Sequence, residues 1–400
     1  MKEIRIGNHL IGAGHPCFFI AEAGANHEGK FEEALRLIDA AKKSQADAIK
    51  FQHYSAGKLV SREAKRYWAV RGDRPGFQFD PHEYHDDQAS TFTKIDGIPR
   101  DKDAQLVNYA KENTIEMFST PFDFESADHL ERLGVPAYKI ASGDITYHQF
   151  LEHVARKGKP IILSTGASTF EEIRDAVRVV LATGNDQLVL LHCTLAYPTP
   201  LENANLLMMK NLQEEFPNVL VGLSDHTPGF EADRAAALLG AVMIEKHFTH
   251  TPGAAAGENK VGESPDHDIG IGAEEFSAMV TAVRNDEKQG LSVRLGVDFE
   301  RAIEMVRNGT CPQVLGKEVA KKVDSVVELK ARAQARRSVV TEIALTKGTV
   351  ITEEMLKDGK LSIKRPGTGI QPYEISNLVG KAVNQDISPD SILQWHHFEI

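Results

Sequence analysis

Two apolar runs in this 400-residue chain end in a histidine set among polar residues. "VLVGLSDHT" closes on Ser224, Asp225 and His226, and "VMIEKHFTH" closes on Glu245, Lys246 and His247. Two imidazoles brought together by neighbouring strands could chelate one divalent cation, and its open positions would polarise a carbonyl; Mn2+, Zn2+ and Fe2+ all suit such a pair. Other apolar runs end the same way: in Glu22, in Lys50 with Gln52, in Ser119 with Thr120, and in Lys139 with Ser142, with Asp144 just beyond. Ser164 with Thr165 and His192 with Thr194 continue the series. Hydroxyls together with two ammonium groups make a cradle for a phosphate plus a carboxylate. A bound anion beside a Lewis acid points to carbon–carbon bond formation onto an aldehyde. Each residue alone has a plainer explanation. A strand-end hydroxyl caps the next helix, a lysine is solvated, and a buried histidine is hydrogen-bonded core. Recurrence at the same end of successive strands favours one shared site.

The elements that must position these residues can be read from periodicity. Short apolar runs at Phe18–Ala21, Ala48–Phe51, Ile115–Phe118, Ala137–Ala141, Pro160–Leu163, Leu188–Leu191, Val219–Leu223 and Val242–Ile244 alternate with helical patterns such as "FEEALRLIDAAKKS" and "TFEEIRDAVRVVLATG". Eight strands apolar on both faces, alternating with helices, predict an α/β fold, a parallel (β/α)8 TIM barrel. In that fold the C-terminal strand ends face one mouth. An open doubly wound sheet is the runner-up, and it lacks a G-x-G-x-x-G after the first strand. Residues 61–101 form an oversized insertion after the second strand; its His82, His85, Asp86 and Asp87 read as a solvated loop in preference to a metal site. The chain turns helical after Glu275, continues as an irregular connector to about Arg332, and from Arg336 carries short strands with the turns "TKGT" and "RPGTG". The expected division is a catalytic barrel over 1–285, a linker over 286–333 and a small β-rich domain over 334–400.

Composition bounds the partners. Hydrophobic content of 42% with 26% charged residues is ordinary for a globular chain, and a net charge of -11 argues against nucleic-acid or membrane-surface binding. Cys17, Cys193 and Cys311 are far apart and show no paired metal spacing, which fits a reducing compartment. The N-terminus shows no signal-peptide pattern, and no apolar run reaches the ~18 residues of a membrane span. A cytoplasmic location is expected.

The blocks "IAEAGANHEG", "DAIKFQ", "FSTPFD", "AYKIASGD", "KPIILSTGAS", "LLHCTLAYPTP", "GLSDHT", "EKHFT" and "KRPGTGI" occur in this order, and with them the chain resembles the sialic acid synthase family, the N-acetylneuraminate, legionaminate and pseudaminate synthases. The likeness covers nearly all of the chain outside residues 61–101 and 250–263. It implies condensation of phosphoenolpyruvate with an open-chain acylated amino-sugar aldehyde, giving a nine-carbon 3-deoxy-2-ulosonic acid and phosphate. It also implies a divalent metal, usually Mn2+, on His226 and His247. Lys50, Thr120, Lys139, Ser142, Ser164 and Ser224 match the phosphoenolpyruvate-binding positions, and Glu22 and Asp144 join the two lysines as catalytic groups. Gln52, Tyr197, Asp266 and Arg365 are expected at the sugar. The last domain resembles the antifreeze-like (SAF) domain, whose arginine, matching Arg365, reaches into the partner subunit's site in a domain-swapped homodimer.

Three departures stand out. Leu195 replaces a polar residue usual after "HCT", the loop "TPGAAAGENKVGESPDH" replaces a shorter "PGPDH", and "RPGTG" replaces "RPGNG" or "RPGSG". Other readings remain: a synthase of shorter ulosonic acids, against which the last domain counts; a metal-dependent aldolase or epimerase without phosphoenolpyruvate; or a non-catalytic polysaccharide-assembly protein that keeps the barrel.

Overall fold

The computed structural model describes residues 2–68, 88–95, 97–250, 264–309, 311–316 and 326–399. His82, His85, Asp86 and Asp87 lie outside them. Eight strands close a parallel barrel: β3 (Phe18–Gly24), β4 (Ala48–His53), β5 (Glu116–Pro121), β6 (Tyr138–Ile140), β7 (Ile161–Ser164), β8 (Leu188–Cys193), β9 (Leu220–Asp225) and β10 (Met243–His247). β10 pairs back onto β3 from Met243 opposite Phe18 to His247 opposite Glu22, so no sheet edge remains open. The strands are buried on both faces, as the unbroken apolar runs require: inward side chains fill the barrel and outward ones pack under the helices.

Helix placement follows local chemistry. In Phe170–Ala182 the Thr169 hydroxyl accepts from the Glu172 N–H and the Glu172 carboxylate accepts from the Thr169 N–H, a reciprocal cap on two orphan donors. Ile173, Ala176, Val177 and Val180 then face the core at helical spacing.

Two features differ from expectation. A hairpin of β1 (Glu3–Ile6) and β2 (His9–Gly12) precedes the barrel, turning at Gly7–Asn8, where Gly7 has a φ of 54°. Its signal was present in the alternation of buried Ile4 and Ile6 around exposed Arg5. The connector is helical where irregular chain was expected. Asp298 caps Phe299–Asn308 by accepting from the Glu300 and Arg301 N–H groups, and Ala302, Ile303 and Val306 form its buried stripe. A second connector helix, Val326–Ala335, leads into the last domain. There β11 (Ser338–Thr341) lies between β12 (Leu361–Lys364) and β13 (Ser391–Ile392) in an antiparallel sheet over a separate small core that includes Val339, Leu345, Ile351 and Leu378. No helix among the described residues is long and apolar enough to cross a membrane.

Candidate active site

Register sets the site. Ser224 stands opposite Glu245, Glu22 opposite both His247 and Lys50, and Gln52 opposite Thr120. Because side chains alternate along a strand, these residues point together into the C-terminal mouth, while Asp225 and Lys246 between them point outward. Lys50 Nζ lies 2.5 Å from Glu22 Oε2, donates to Thr120 Oγ1 at 2.8 Å and stands 3.7 Å from Glu245 Oε2. Glu245 Oε1 lies 3.6 Å from Lys139 Nζ and accepts from the Ser224 hydroxyl at 2.9 Å. Glu245 therefore joins the two lysines, a role the sequence reading left out. The signal was its i, i+2 relation to His247, which puts both on one face.

The cluster is buried, and burial sets its charge states. Burial pushes the Glu22 carboxyl up to about 7 against the pull of Lys50. Lys50 is raised above its ordinary value, since Glu22 and Glu245 outweigh its burial, whereas burial lowers Lys139 despite Glu245. Two hydroxyls keep bonding capacity for a ligand. Ser164 Oγ is buried with no hydrogen-bond partner among the described residues, and Ser142 Oγ accepts from the Gly166 N–H at 2.8 Å while its own proton remains to be donated.

On the same rim, the His226 and His247 ring centroids are 5.3 Å apart. The nitrogen Nδ1 of His226 bonds the Thr194 carbonyl at 2.9 Å, which leaves Nε2 for a ligand. Nδ1 of His247 is buried without a hydrogen-bond partner, and burial beside His226 holds that ring well below the usual imidazole range. At His226 burial opposes the charged ring, but Cys193 and the Thr194 carbonyl outweigh it and raise the imidazole to about 9, so a cation binding there displaces a proton. The Asp266 Oδ1 atom lies 3.8 Å from His247 Nδ1, and burial lifts its carboxyl to about 6. Gln52 donates to Glu22 at 3.0 Å and to Asp266 at 3.4 Å, and the Tyr197 ring sits 4.3 Å from that of His226. Two imidazole nitrogens, one of them an orphaned buried atom, with a carboxylate alongside, fit a divalent cation.

The roof comes from later in the chain. Arg365 lines the cavity, its guanidinium 5.6 Å from the Phe92 ring centre and 5.5 Å from that of Phe122, and it donates to Gln88 Oε1 at 3.4 Å. Its backbone pairs with the start of the insertion: the Arg365 N–H donates to the Leu59 carbonyl at 3.0 Å and the Ser61 N–H to the Arg365 carbonyl at 3.0 Å. In this structure Arg365 thus reaches the cavity of its own chain, where the resemblance implied a partner's. The connector helix Val326–Ala335 lies beside it. Glu328 Oε1 accepts from the Ala167 N–H at 2.7 Å and the Leu195 N–H at 2.9 Å, tying the helix to the ends of two strands. Leu195 packs with Ala167, Ala331 and Ala335, so the missing polar group has become an apolar seat for this helix. Gly143 is required by the close approach, since a Cβ there would lie 2.5 Å from the Ala335 carbonyl oxygen.

Thirteen of the fourteen expected site residues line this one cavity: Glu22, Lys50, Gln52, Thr120, Lys139, Ser142, Ser164, Tyr197, Ser224, His226, His247 and Asp266, with Arg365 from the last domain, while Asp144 lies outside it. Asp144 is fully buried and paired with Arg337, whose Nε lies 2.5 Å from Asp144 Oδ1 and whose Nη2 donates to the Phe122 carbonyl at 2.8 Å. This carboxylate anchors the last domain and does not face the reaction space. Among the described residues, the group of three donors close enough to share one ion is His53, Asp103 and His129, outside this mouth.

Comparison with known proteins identifies the family of the chain. Residues 37–292 match the model of the NeuB family and residues 336–399 that of the SAF domain. An N,N'-diacetyllegionaminic acid synthase of Legionella pneumophila is 35% identical over 97% of this chain and 96% of its own. The crystal structure of the spore coat polysaccharide biosynthesis protein SpsE of Bacillus subtilis superposes with a TM-score of 0.76 at 30% identity, over 100% of this chain and 99% of its own. That of N-acetylneuraminic acid synthetase from Leptospira borgpetersenii, in complex with citrate, does so with a TM-score of 0.62 at 30% identity, over 77% and 96%. With a family match across more than half of its length, the chain belongs to the NeuB family and carries a C-terminal SAF domain.

Proposed function

We propose that the protein is a sialic-acid-type synthase. It would condense phosphoenolpyruvate, an open-chain N-acylated amino-sugar aldehyde and water to a nine-carbon 3-deoxy-2-ulosonic acid and inorganic phosphate. The observation that carries this reading is the pairing of Lys50 and Lys139 through Glu245, beside His226 and His247 and beneath Arg365, in one buried cavity. Relatives named as synthases of legionaminic acid, pseudaminic acid and N-acetylneuraminate 9-phosphate support it.

Lys50, Lys139, Ser142, Ser164, Ser224 and Thr120 would hold the phosphate and carboxylate of phosphoenolpyruvate, with Glu245 spacing the ammonium groups until the anion arrives. A divalent cation such as Mn2+, held by His226 and His247, would supply Lewis acidity at the sugar carbonyl. Gln52, Tyr197, Asp266 and Arg365 would orient the sugar so that its C1 faces C3 of phosphoenolpyruvate. As C3 forms the new bond, positive character develops at C2 and water adds there. Glu22, raised to about 7 by burial, is poised to take the water's proton at neutral pH. The tetrahedral phosphohemiketal then loses phosphate by C–O cleavage.

A homodimer that exchanges its SAF domains is part of the proposal. Domain swapping replaces a contact within one chain by the same contact between two, so every seam interaction would be kept, with Arg365 then acting in the neighbouring cavity.

The test is phosphate release from phosphoenolpyruvate with Mn2+, across N-acetylmannosamine, its 6-phosphate and the di-acetamido 6-deoxy hexoses, with a chelator control. Release that needs both the metal and one of these sugars is expected. Folded, metal-loaded protein that releases phosphate with none of them would sink the reading.

A further inference from the structure

The face of β4 turned away from the mouth carries a second set of metal-competent groups. Lys50 and Gln52 point inward, so His53 points outward, toward the helices Asp103–Glu112 and Phe124–Leu133. There His53 Nε2 lies 3.1 Å and His129 Nε2 2.7 Å from the same oxygen, Asp103 Oδ2. Three elements distant in sequence thus present two imidazole nitrogens and a carboxylate oxygen to one point. Nδ1 of His53 is held by the Ser119 hydroxyl at 2.7 Å, which fixes the ring with Nε2 toward Asp103, the usual outer partner of a metal-bound imidazole. Asp103 is only 1% exposed. Its carboxylate sits at the first turn of its own helix, and against the cost of burial the two imidazoles hold it below its ordinary pKa. A cation about 2.1 Å from each donor needs ligand atoms roughly 3.0 to 3.4 Å apart, so the two imidazoles, at 3.1 Å and 2.7 Å from Asp103 Oδ2, would separate only slightly to admit one. An adjoining cavity of about 310 Å³, bordered by His27, Asp123 and Glu125, gives room for waters at the open positions.

We propose that His53, Asp103 and His129 form a divalent-cation site of the two-imidazole, one-carboxylate type, separate from the mouth, that staples β4 to the two helices outside it. The bland alternative is a metal-free cluster in which both rings donate N–H to Asp103. The inference does not rest on the proposed reaction, because β4 would be stapled whatever chemistry its inner face performs.

The experiment uses the full chain, stripped with chelator, reloaded with Zn2+ and desalted, with zinc counted per protein for the wild type and His129→Gln. His129 is partly exposed, so the variant should fold, which its circular dichroism checks. Asp103→Asn, of the same shape without the charge, is the second variant. The variants are expected to hold one equivalent less than the wild type and to lose part of the zinc-induced rise in Tm, whatever the mouth binds. Equal zinc content in wild type and folded variants overturns the site.

Discussion

Buried charges occupy two regions of the barrel's C-terminal side, and they are finished differently. In the mouth, Glu22, Lys50, Lys139 and Glu245 contact one another at 2.5 to 3.7 Å, yet Ser164 Oγ and His247 Nδ1 are left without hydrogen-bond partners. In the seam beneath the SAF domain the charges pair with one another, although Asp144 Oδ2 and the Nε and Nη1 atoms of Arg336 are also left without hydrogen-bond partners. Arg337 takes Asp144 and the carbonyls of Phe122 and Ile363. Glu172 receives Arg332 at 2.8 Å and Arg336 at 3.2 Å while still capping its helix. Burying charge costs several kcal/mol per ion before pairing, so neither set is incidental. The seam pairs its charges within packed protein, whereas the mouth sets its own around an open cavity that a ligand can enter. Asp144 and Glu22, both acidic residues at strand ends, fall on opposite sides of this division.

The sharpest way to break the comparison is to exchange expected outcomes. Lys50→Met should lower turnover about a thousandfold or more, as when a key electrostatic donor is removed, with circular dichroism unchanged. Asp144→Ala should do the reverse. It leaves Arg337 unpaired in the interior and should cost about 3 kcal/mol in urea unfolding, with a smaller loss of turnover that works through the placement of Arg365. If Asp144→Ala abolished turnover in a fully stable protein, Asp144 would belong to the mouth after all. The smallest effect concerns pH. The folded chain holds the Asp266 proton up to about pH 6, while a solvated aspartate releases it near 3.8. Between those values the folded state binds more protons than the unfolded one, so stability falls as pH rises through the window. Asp266→Asn should therefore stabilise the metal-free protein by up to about 3 kcal/mol above pH 6 and give no gain below about pH 4. Thermal melts with chelator at both ends of the window check this. A constant difference would remove the ionisation cost.

The mouth was legible in the sequence because a parallel barrel turns strand order into position: a polar residue after each apolar run has one place to go. Glu245 was legible by the same alternation as His247, yet it looked like part of a charged run with Lys246. Asp144 falls outside the cavity for a local reason. It sits in the 3-10 turn Ser142–Asp144 after β6, where strand alternation no longer says which way a side chain points. Its partner Arg337 lies 193 positions away, beyond the reach of any spacing rule. The connector helices were underread although Asp298 supplied a cap signal, because Val326–Ala335 earns its place through tertiary contacts such as Glu328 on two strand ends and has little apolar stripe of its own. Leu195 stood out as a departure, and only packing against Ala331 and Ala335 gives it a purpose.

The position of Arg365 in the chain has a consequence in time. Ribosomes deliver the lysines, the histidines and all eight barrel strands first, and the arginine that roofs them follows only after the last of those strands. A nascent barrel can therefore close while its mouth is still open to water. The cavity itself is completed as a late event, when the connector helix and its domain dock.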